Sequence, residues 1–403
     1  MQSWILKNSE MVLTVLISIM ICTTRSSMAL GNLLYGIIIL MTILTCWYRR
    51  HEISVPKLIR QYGWAYLGML LCVLPSAFTS DDVQTTIKYF FNIWVWKVLI
   101  IVPILLFIKS RRKLFTILTV FFVYMGVDAI SAFGQYIFNY NLGPEGRAGG
   151  AINGSMMGLA MLLTLAFPLA LIATYDTRFP SYVRKSAVFS LVGMLLGMWG
   201  NQSRGSWLFN GINGVLITLR YCFVNIRYLL VFLVAIVGIG YAFTSNQAYI
   251  DRFESTFNIS TDGSNLGRIY VWEADKQMIM DYPVTGVGPG LWQKTYREHY
   301  KLKEETQNLG HSHNNLLQIA SESGILGLIG FLGFSIFVIC KSLKNYIKTR
   351  NPYDLSILVG FISYLFLFGS IDYTWGNSSG IRMFWIIMGI MIQLKINEND
   401  KVV

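Results

Sequence analysis

The sequence predicts an all-α polytopic membrane protein with about twelve transmembrane helices and one long loop carrying short helices. Three observations predict it. Residues of the AVILMFWYC set fill 54% of the 403 positions and charged residues only 13%, about half the roughly 25% of a soluble domain, so the chain cannot cover a water-facing surface. The apolar residues fall in runs of near-spanning length. The net charge of +12 comes in short basic clusters between those runs, which is a topology signal, and no nucleic-acid partner is expected. The same composition excludes disordered, coiled-coil and collagen-like chains.

Runs of about 20 mostly apolar residues place spans at roughly 9–24, 30–48, 61–79, 89–108, 114–136, 150–175, 187–201, 206–220, 228–244, 315–340, 354–371 and 381–395. The two short ones, 187–201 and 206–220, imply tilted, longer or broken helices. The first run, Met11 to Cys22, has the look of a signal peptide with Ser27 and Ala29 before a cut, but a second apolar run follows at once, so it reads as a span. Cys22, Cys46, Cys72, Cys222 and Cys340 read as embedded hydrophobes, with no disulfide framework.

With both termini cytoplasmic, the inner segments collect 20 Lys and Arg, and the short outer segments hold only 5: Arg25, Lys88, Arg147, Arg204 and Arg382. That bias places the loop near 245–314 outside. The chain then divides into an N-terminal membrane bundle of about nine spans (1–244), the large loop (245–314) and about three C-terminal spans (315–403). Within the loop a helix is expected around Leu266–Met280, ended by Tyr282-Pro283. The turn-rich Gly286–Gly290 and an amphipathic stretch, Trp292–Glu305, follow.

GxxxxGK[ST], HExxH and DxD are absent, and Gly286–Gly290 neither follows a strand nor opens a helix. The cytoplasmic loops are too short for a nucleotide-binding domain. Any chemistry therefore falls on the outer face, with a lipid-carried or diffusing substrate.

Lys97 and Asp128 each lie about eight residues from the outer end of sequential spans, roughly 12 Å deep. Glu322 lies about one and a half turns into the tenth span. A charge near the bilayer centre costs on the order of 3 kcal/mol, so each should find a partner inside the bundle. Equal depth suggests a Lys97–Asp128 ion pair. The alternative is a polar cavity opening outward, partly lined by these groups.

Four motifs meet on the same face: Gly146-Arg147-Ala148 leading to Asn153, Gln202-Ser203-Arg204-Gly205-Ser206-Trp207, Gly267-Arg268-Ile269-Tyr270-Val271-Trp272, and His311-Ser312-His313-Asn314-Asn315-Leu316. Each alone has a plainer reading, as an interfacial Arg on lipid phosphate, a solvated His or an N-capping Asn. An HxH zinc site needs a third ligand, and His299 is the nearest imidazole in the sequence, so no metal and no cofactor is expected.

Together these motifs resemble the O-antigen ligase family, within the superfamily it shares with O-antigen polymerases and some bacterial protein O-oligosaccharyltransferases. The resemblance covers roughly residues 140–340. It includes Arg204 to Trp207, the GRxxxW at 267–272 leading into Asp281–Gly290, and the HxHNxxL at 311–317 followed by Glu322-Ser323-Gly324-Ile325-Leu326-Gly327. The resemblance implies a bacterial inner-membrane glycosyltransferase whose active site faces the periplasm. It would move a glycan from undecaprenyl diphosphate to an outer core sugar of lipid A-core, among membrane lipids and without nucleotide. Arg204 and Arg268 would hold the diphosphate and His313 would act on the acceptor. Arg147 and Asn153 match a weaker family pattern, and His311, Asn314, Glu322 and Lys97 are further candidates.

The chemistry fits. A departing glycosyl diphosphate builds negative charge that guanidinium forks pair with bidentately, and an imidazole of near-neutral pKa can take the acceptor's proton. One attack with no protein nucleophile would invert the anomeric centre. A polymerase of the same superfamily fits the motifs equally. A non-enzymatic lipid-linked glycan transporter also fits the span count, though the sequence lacks the duplicated halves common in transporters.

Overall fold

The computed structural model describes residues 8–151, 154–223, 225–258, 262–305, 307 and 309–399, and among them the chain is helical with no strand. Among the described residues seven helices are long and apolar enough to cross a membrane: Met28–Tyr48, Val83–Phe107, Arg111–Ile137, Met156–Tyr175, Asn315–Thr349, Pro352–Ser370 and Ser378–Glu398. The other expected segments also fall on helices, Ser9–Thr23, Lys57–Val73, Ser181–Asn201, Arg204–Cys222 and Arg227–Thr244, which are shorter or more polar. We number the helices α1 Ser9–Thr23, α2 Met28–Tyr48, α3 Lys57–Val73, α4 Val83–Phe107, α5 Arg111–Ile137, α6 Met156–Tyr175, α7 Ser181–Asn201, α8 Arg204–Cys222, α9 Arg227–Thr244, α10 Gln247–Glu254, α11 Gly263–Asp281, α12 Trp292–Thr295, α13 Asn315–Thr349, α14 Pro352–Ser370 and α15 Ser378–Asn399.

Helices α6 and α15 are buried almost all round and form the centre, which is why their apolar residues show no sidedness. Helices α1 to α3 carry large exposed apolar side chains such as Leu33, Trp47 and Trp64, as a lipid-facing surface requires. The tightest pairing is α5 with α7, along Gly193, Gly197 and Gly200. A Cβ at Gly193 would lie 2.6 Å from the Gly126 carbonyl oxygen, so small residues set this close approach.

The pairing explains one correction. Asp128 does not pair with Lys97: its partner is Arg25, just after α1, and both side chains are buried. Helix α5 packs on α7 and α1, so sequence order does not bring it against α4. Arg25 also donates to Gly149 O at 2.7 Å, and Ala151 N donates to Asp128 Oδ1 at 2.7 Å. The pair thereby fixes the 147–151 turn. Lys97 instead donates to Gly376 O at 2.7 Å, on a part of α4 that departs from regular α-helix over Phe91–Val98.

The loop helix expected around 266–280 is α11, capped by Asp262, whose side chain accepts from Asn265 N. The amphipathic stretch after it is shorter than expected: α12 and one wider turn, Tyr296–Tyr300. Helix α13 is broken at Gly324, which has φ +61° and ψ −166°. There the chain before α12 docks onto it: Ile325 N donates to Pro283 O, Leu326 N to Val284 O, Val287 N to Ser321 O and Gly288 N to Glu322 O. Only glycine fits, since a Cβ at Gly324 would sit 2.3 Å from the Val284 carbonyl and one at Gly286 2.4 Å from the Glu322 carbonyl carbon.

Candidate active site

The His motif hangs on its central serine. Ser312 N donates to Gln318 Oε1 at 2.7 Å, Ser312 O accepts from Trp272 Nε1 at 2.9 Å, and Ser312 Oγ donates to Asp275 Oδ1 at 2.9 Å. Asp275 also accepts from Trp292 Nε1 at 2.6 Å and from Ser321 Oγ at 2.9 Å, so α11, α12 and α13 meet on one carboxylate. Burial outweighs those hydrogen bonds and pushes the Asp275 carboxyl up to about 6. Asn314 caps α13, accepting from Leu316 N and Leu317 N.

With Ser312 fixed, the two imidazoles stand side by side, ring centroids 4.1 Å apart. His313 has φ +51°, a left-handed conformation that histidine tolerates better than most side chains. Its Nδ1 lies 3.2 Å from Asp372 Oδ1, and His311 Nε2 lies 3.7 Å from the same oxygen. His313 N donates to His311 Nδ1 at 3.2 Å, which leaves His311 Nε2 to carry the proton toward Asp372. Burial, then the neighbouring His313, push the His311 imidazole down to about 4, so it is neutral near pH 7. Burial opposes the charge on Asp372, but His313, His311 and Tyr373 N together hold its carboxyl below the usual range.

Sequence reasoning missed Asp372. It sits in the short connection between α14 and α15, held by Asn315, whose side chain donates to Thr374 Oγ1 and Leu365 O and accepts from Trp375 N. His299, the nearest further imidazole in the chain, does not join the pair; it lies against Glu298 on an exposed turn. His311, His313 and Asp372 offer ligand atoms all within 4.8 Å of one another, so among the described residues these three have the geometry to hold a cation.

On one side of Ile371-Asp372-Tyr373 lies a cavity of about 130 Å³ lined by Arg147, Arg204, Arg252, Arg268 and Ile371. Arg204 opens α8 and is already committed: its Nη1 and Nη2 grip Asp262 as a fork, both at 3.0 Å, and Nη1 also donates to Ser255 Oγ. Arg268 donates to Ile371 O and Ser264 O, and Arg147 to Asn201 O; neither has a carboxylate within ion-pair distance among the described residues. Burial pushes the Arg268 guanidinium below its usual value, and burial with the adjacent Arg252 brings Arg147 to about 10. Arg252 was not foreseen; it reaches the cavity from α10 and pairs with Glu145 at 2.9 Å. Asn153 lies outside the described residues.

On the other side lies a larger cavity of about 410 Å³, lined by His311, Tyr373, Lys97 and Glu322 among others. Glu322 accepts from Gly290 N and Gln318 Nε2, each at 3.0 Å. The candidate residues thus divide into an arginine cavity, a histidine–carboxylate wall and a second polar cavity.

The O-antigen ligase family model matches residues 189–332, a segment that holds Arg204, Arg268, His311, His313 and Glu322 and lies between Arg147 and Asp372. A protein of Rickettsia conorii provisionally named a polysaccharide ligase is 27% identical over 220 residues, 52% of this chain and 51% of that relative. The alignment thus spans about half the length of each. The chain is a multi-pass helical membrane protein, and its residues 189–332 are similar to the O-antigen ligase family.

Proposed function

We propose that the protein is an O-antigen ligase, which transfers a glycan from undecaprenyl diphosphate to a sugar hydroxyl of lipid A-core at the periplasmic face of the inner membrane. One observation carries the reading: His313 Nδ1 lies 3.2 Å from Asp372, and the residue before that acid, Ile371, lines a cavity that gathers four arginines. Asp372 at Nδ1 leaves Nε2 of His313 with its lone pair, the form a general base needs. The acceptor oxygen gives its proton to Nε2 and attacks the anomeric carbon. The bond from that carbon to the diphosphate oxygen breaks, and the electron pair leaves with undecaprenyl diphosphate. In this reading Arg268 and Arg147 meet the charge that builds there. Arg204, with Asp262 in its fork, shapes the cavity and joins the donor if that fork opens. A single displacement inverts the anomeric centre, and the arginines take the part a metal plays elsewhere.

In this reading residues 245–314 are periplasmic and both termini cytoplasmic. Alkaline phosphatase fused after Gln293 is then active and fused after Lys348 inactive; the reverse pair overturns the topology and the site with it. The deciding experiment is a deletion examined by lipopolysaccharide gel. Core-only lipopolysaccharide with accumulated lipid-linked polymer supports the ligase. Core plus a single repeat makes the protein a polymerase of the same superfamily. An unchanged gel removes both.

A further inference from the structure

The charges beside the second cavity do not balance. Lys97 lines it, and Arg382 is its electrostatic neighbour; both side chains are buried. Among the described residues neither cation has a carboxylate within ion-pair distance. Lys97 donates to Gly376 O. Arg382 donates to Asn32 and lies over the Tyr35 ring, 4.8 Å from its centroid, while its Nε and Nη1 have no hydrogen-bond partner among the described residues. Glu322 is the acid that feels Lys97, and it is already hydrogen-bonded to Gly290 N and Gln318. Two buried cations therefore face one buried acid, in a setting where an uncompensated charge costs several kcal/mol.

The remaining lining has a different character. Tyr89, Trp292 and Tyr373 supply ring surface, and Asn92 and Gln293 supply side-chain amides that make no hydrogen bond among the described residues. Rings and unpaired amides suit a polyhydroxylated molecule, whose C–H faces pack on the rings while its hydroxyls meet the amides. At about 410 Å³ the cavity lies within the roughly 300–1,000 Å³ of small-molecule sites. Its lining includes His311 and none of the four arginines, so a ligand here meets the histidine pair from a different cavity.

We propose that this cavity binds the acceptor, and that the acceptor is an acidic sugar whose anionic substituent, phosphate or carboxylate, is met by Lys97. This rests on the ligase reading for the word acceptor; the cavity and its charge do not. The substituent supplies the missing negative charge, and the sugar ring spans from Lys97 toward the histidines.

The test is equilibrium binding, without donor, to the purified full chain in nanodiscs. The probes are a core glycolipid as isolated, the same glycolipid dephosphorylated, and the same glycolipid carboxyl-reduced. The wild-type protein should bind the intact probe about tenfold more tightly than one of the two neutralised probes, and which one identifies the anion. Lys97→Gln should bind all three alike. Gln293→Glu, an exposed change at the cavity that does not threaten folding, should weaken the intact probe and spare the neutralised one. Equal wild-type affinity for all three probes, or a preference that survives Lys97→Gln in folded protein, overturns the inference. A transfer assay on the same preparation separates the two readings. Selective binding without transfer to any probe sinks the proposed function and leaves the site; transfer without selective binding does the reverse.

Discussion

His313 Nδ1 lies 3.2 Å from a carboxylate oxygen of Asp372, which comes from a different helix connection. Asp372→Asn keeps the shape but lets the imidazole take the other tautomer. Transfer should fall by about 10² to 10⁴, and His313→Ala by a similar factor, at normal protein abundance and with donor-lipid binding retained. His311→Asn should leave the acid limb of the pH–rate profile in place, because His311 stays neutral down to about pH 4. Transfer within a few-fold of wild type in His313→Ala would remove the base assignment and make Glu322 the next residue to test.

The same three side chains have the geometry for a cation, so metal dependence is a direct measurement. Turnover with a lipid-linked donor should persist in excess EDTA. Loss of activity that Mg²⁺ or Mn²⁺ restores would replace the arginine mechanism with one that runs through the histidines and Asp372.

The arginines should separate by what they already hold. Arg268→Lys keeps charge and loses the planar fork, and should reduce transfer about 10²-fold. Arg204→Lys and Asp262→Asn should each weaken activity, and the double variant should be no worse than the worse single, because both remove one fork. Additive losses would mean that Arg204 reaches the donor independently of Asp262.

Asp275 gives a stability profile with a definite sign. Its folded-state carboxyl titrates near 6, above the ordinary 3.8, so the folded protein holds the proton more tightly than the unfolded chain does. Stability from this group is present below pH 3.8 and is lost as pH rises to about 6, by on the order of 3 kcal/mol in all. Asp275→Asn keeps an oxygen for Trp292, Ser312 and Ser321 and removes the titration. The melting temperature of the wild-type protein should fall between about pH 4 and 6 relative to that of the variant. Parallel profiles would show that Asp275 does not titrate there.

Removing Arg25 leaves Asp128 buried and unpaired, so Arg25→Ala should cost about 3–5 kcal/mol and lower protein abundance. Lys97→Gln should leave the 147–151 turn in place. Equal abundance of Arg25→Ala and wild type would overturn the pairing.

The contrast between these two residues shows what the sequence can carry. Hydropathy located helical segments, seven of them of spanning length and composition among the described residues, because an apolar run is a local property of the chain. The motifs at Arg204, Arg268 and His313 were legible because their residues lie close together in the chain. The partner of Asp128 was not, because helix order does not decide which helices touch; the small residues of α5 and α7 do. Asp372 was silent because one acid in a short connection has no pattern, and only folding brings it to the histidines. Arg252 was hidden among seven loop cations with nothing to mark it. The fork between Arg204 and Asp262 joins one motif to the cap of the helix that carries Arg268, and the motif readings gave no reason to connect them.

The connection between α14 and α15 has a further consequence. Ile371 faces the arginine cavity, Asp372 the histidines and Tyr373 the second cavity, so three consecutive residues serve three compartments. Such a segment is read like a ruler, by position as much as by composition. Inserting or deleting one residue would move the carboxylate out of the wall and into one of the chambers it divides. The length of this short connection is therefore as constrained as the identity of its acid, even though most loops of a membrane protein tolerate a change of one residue.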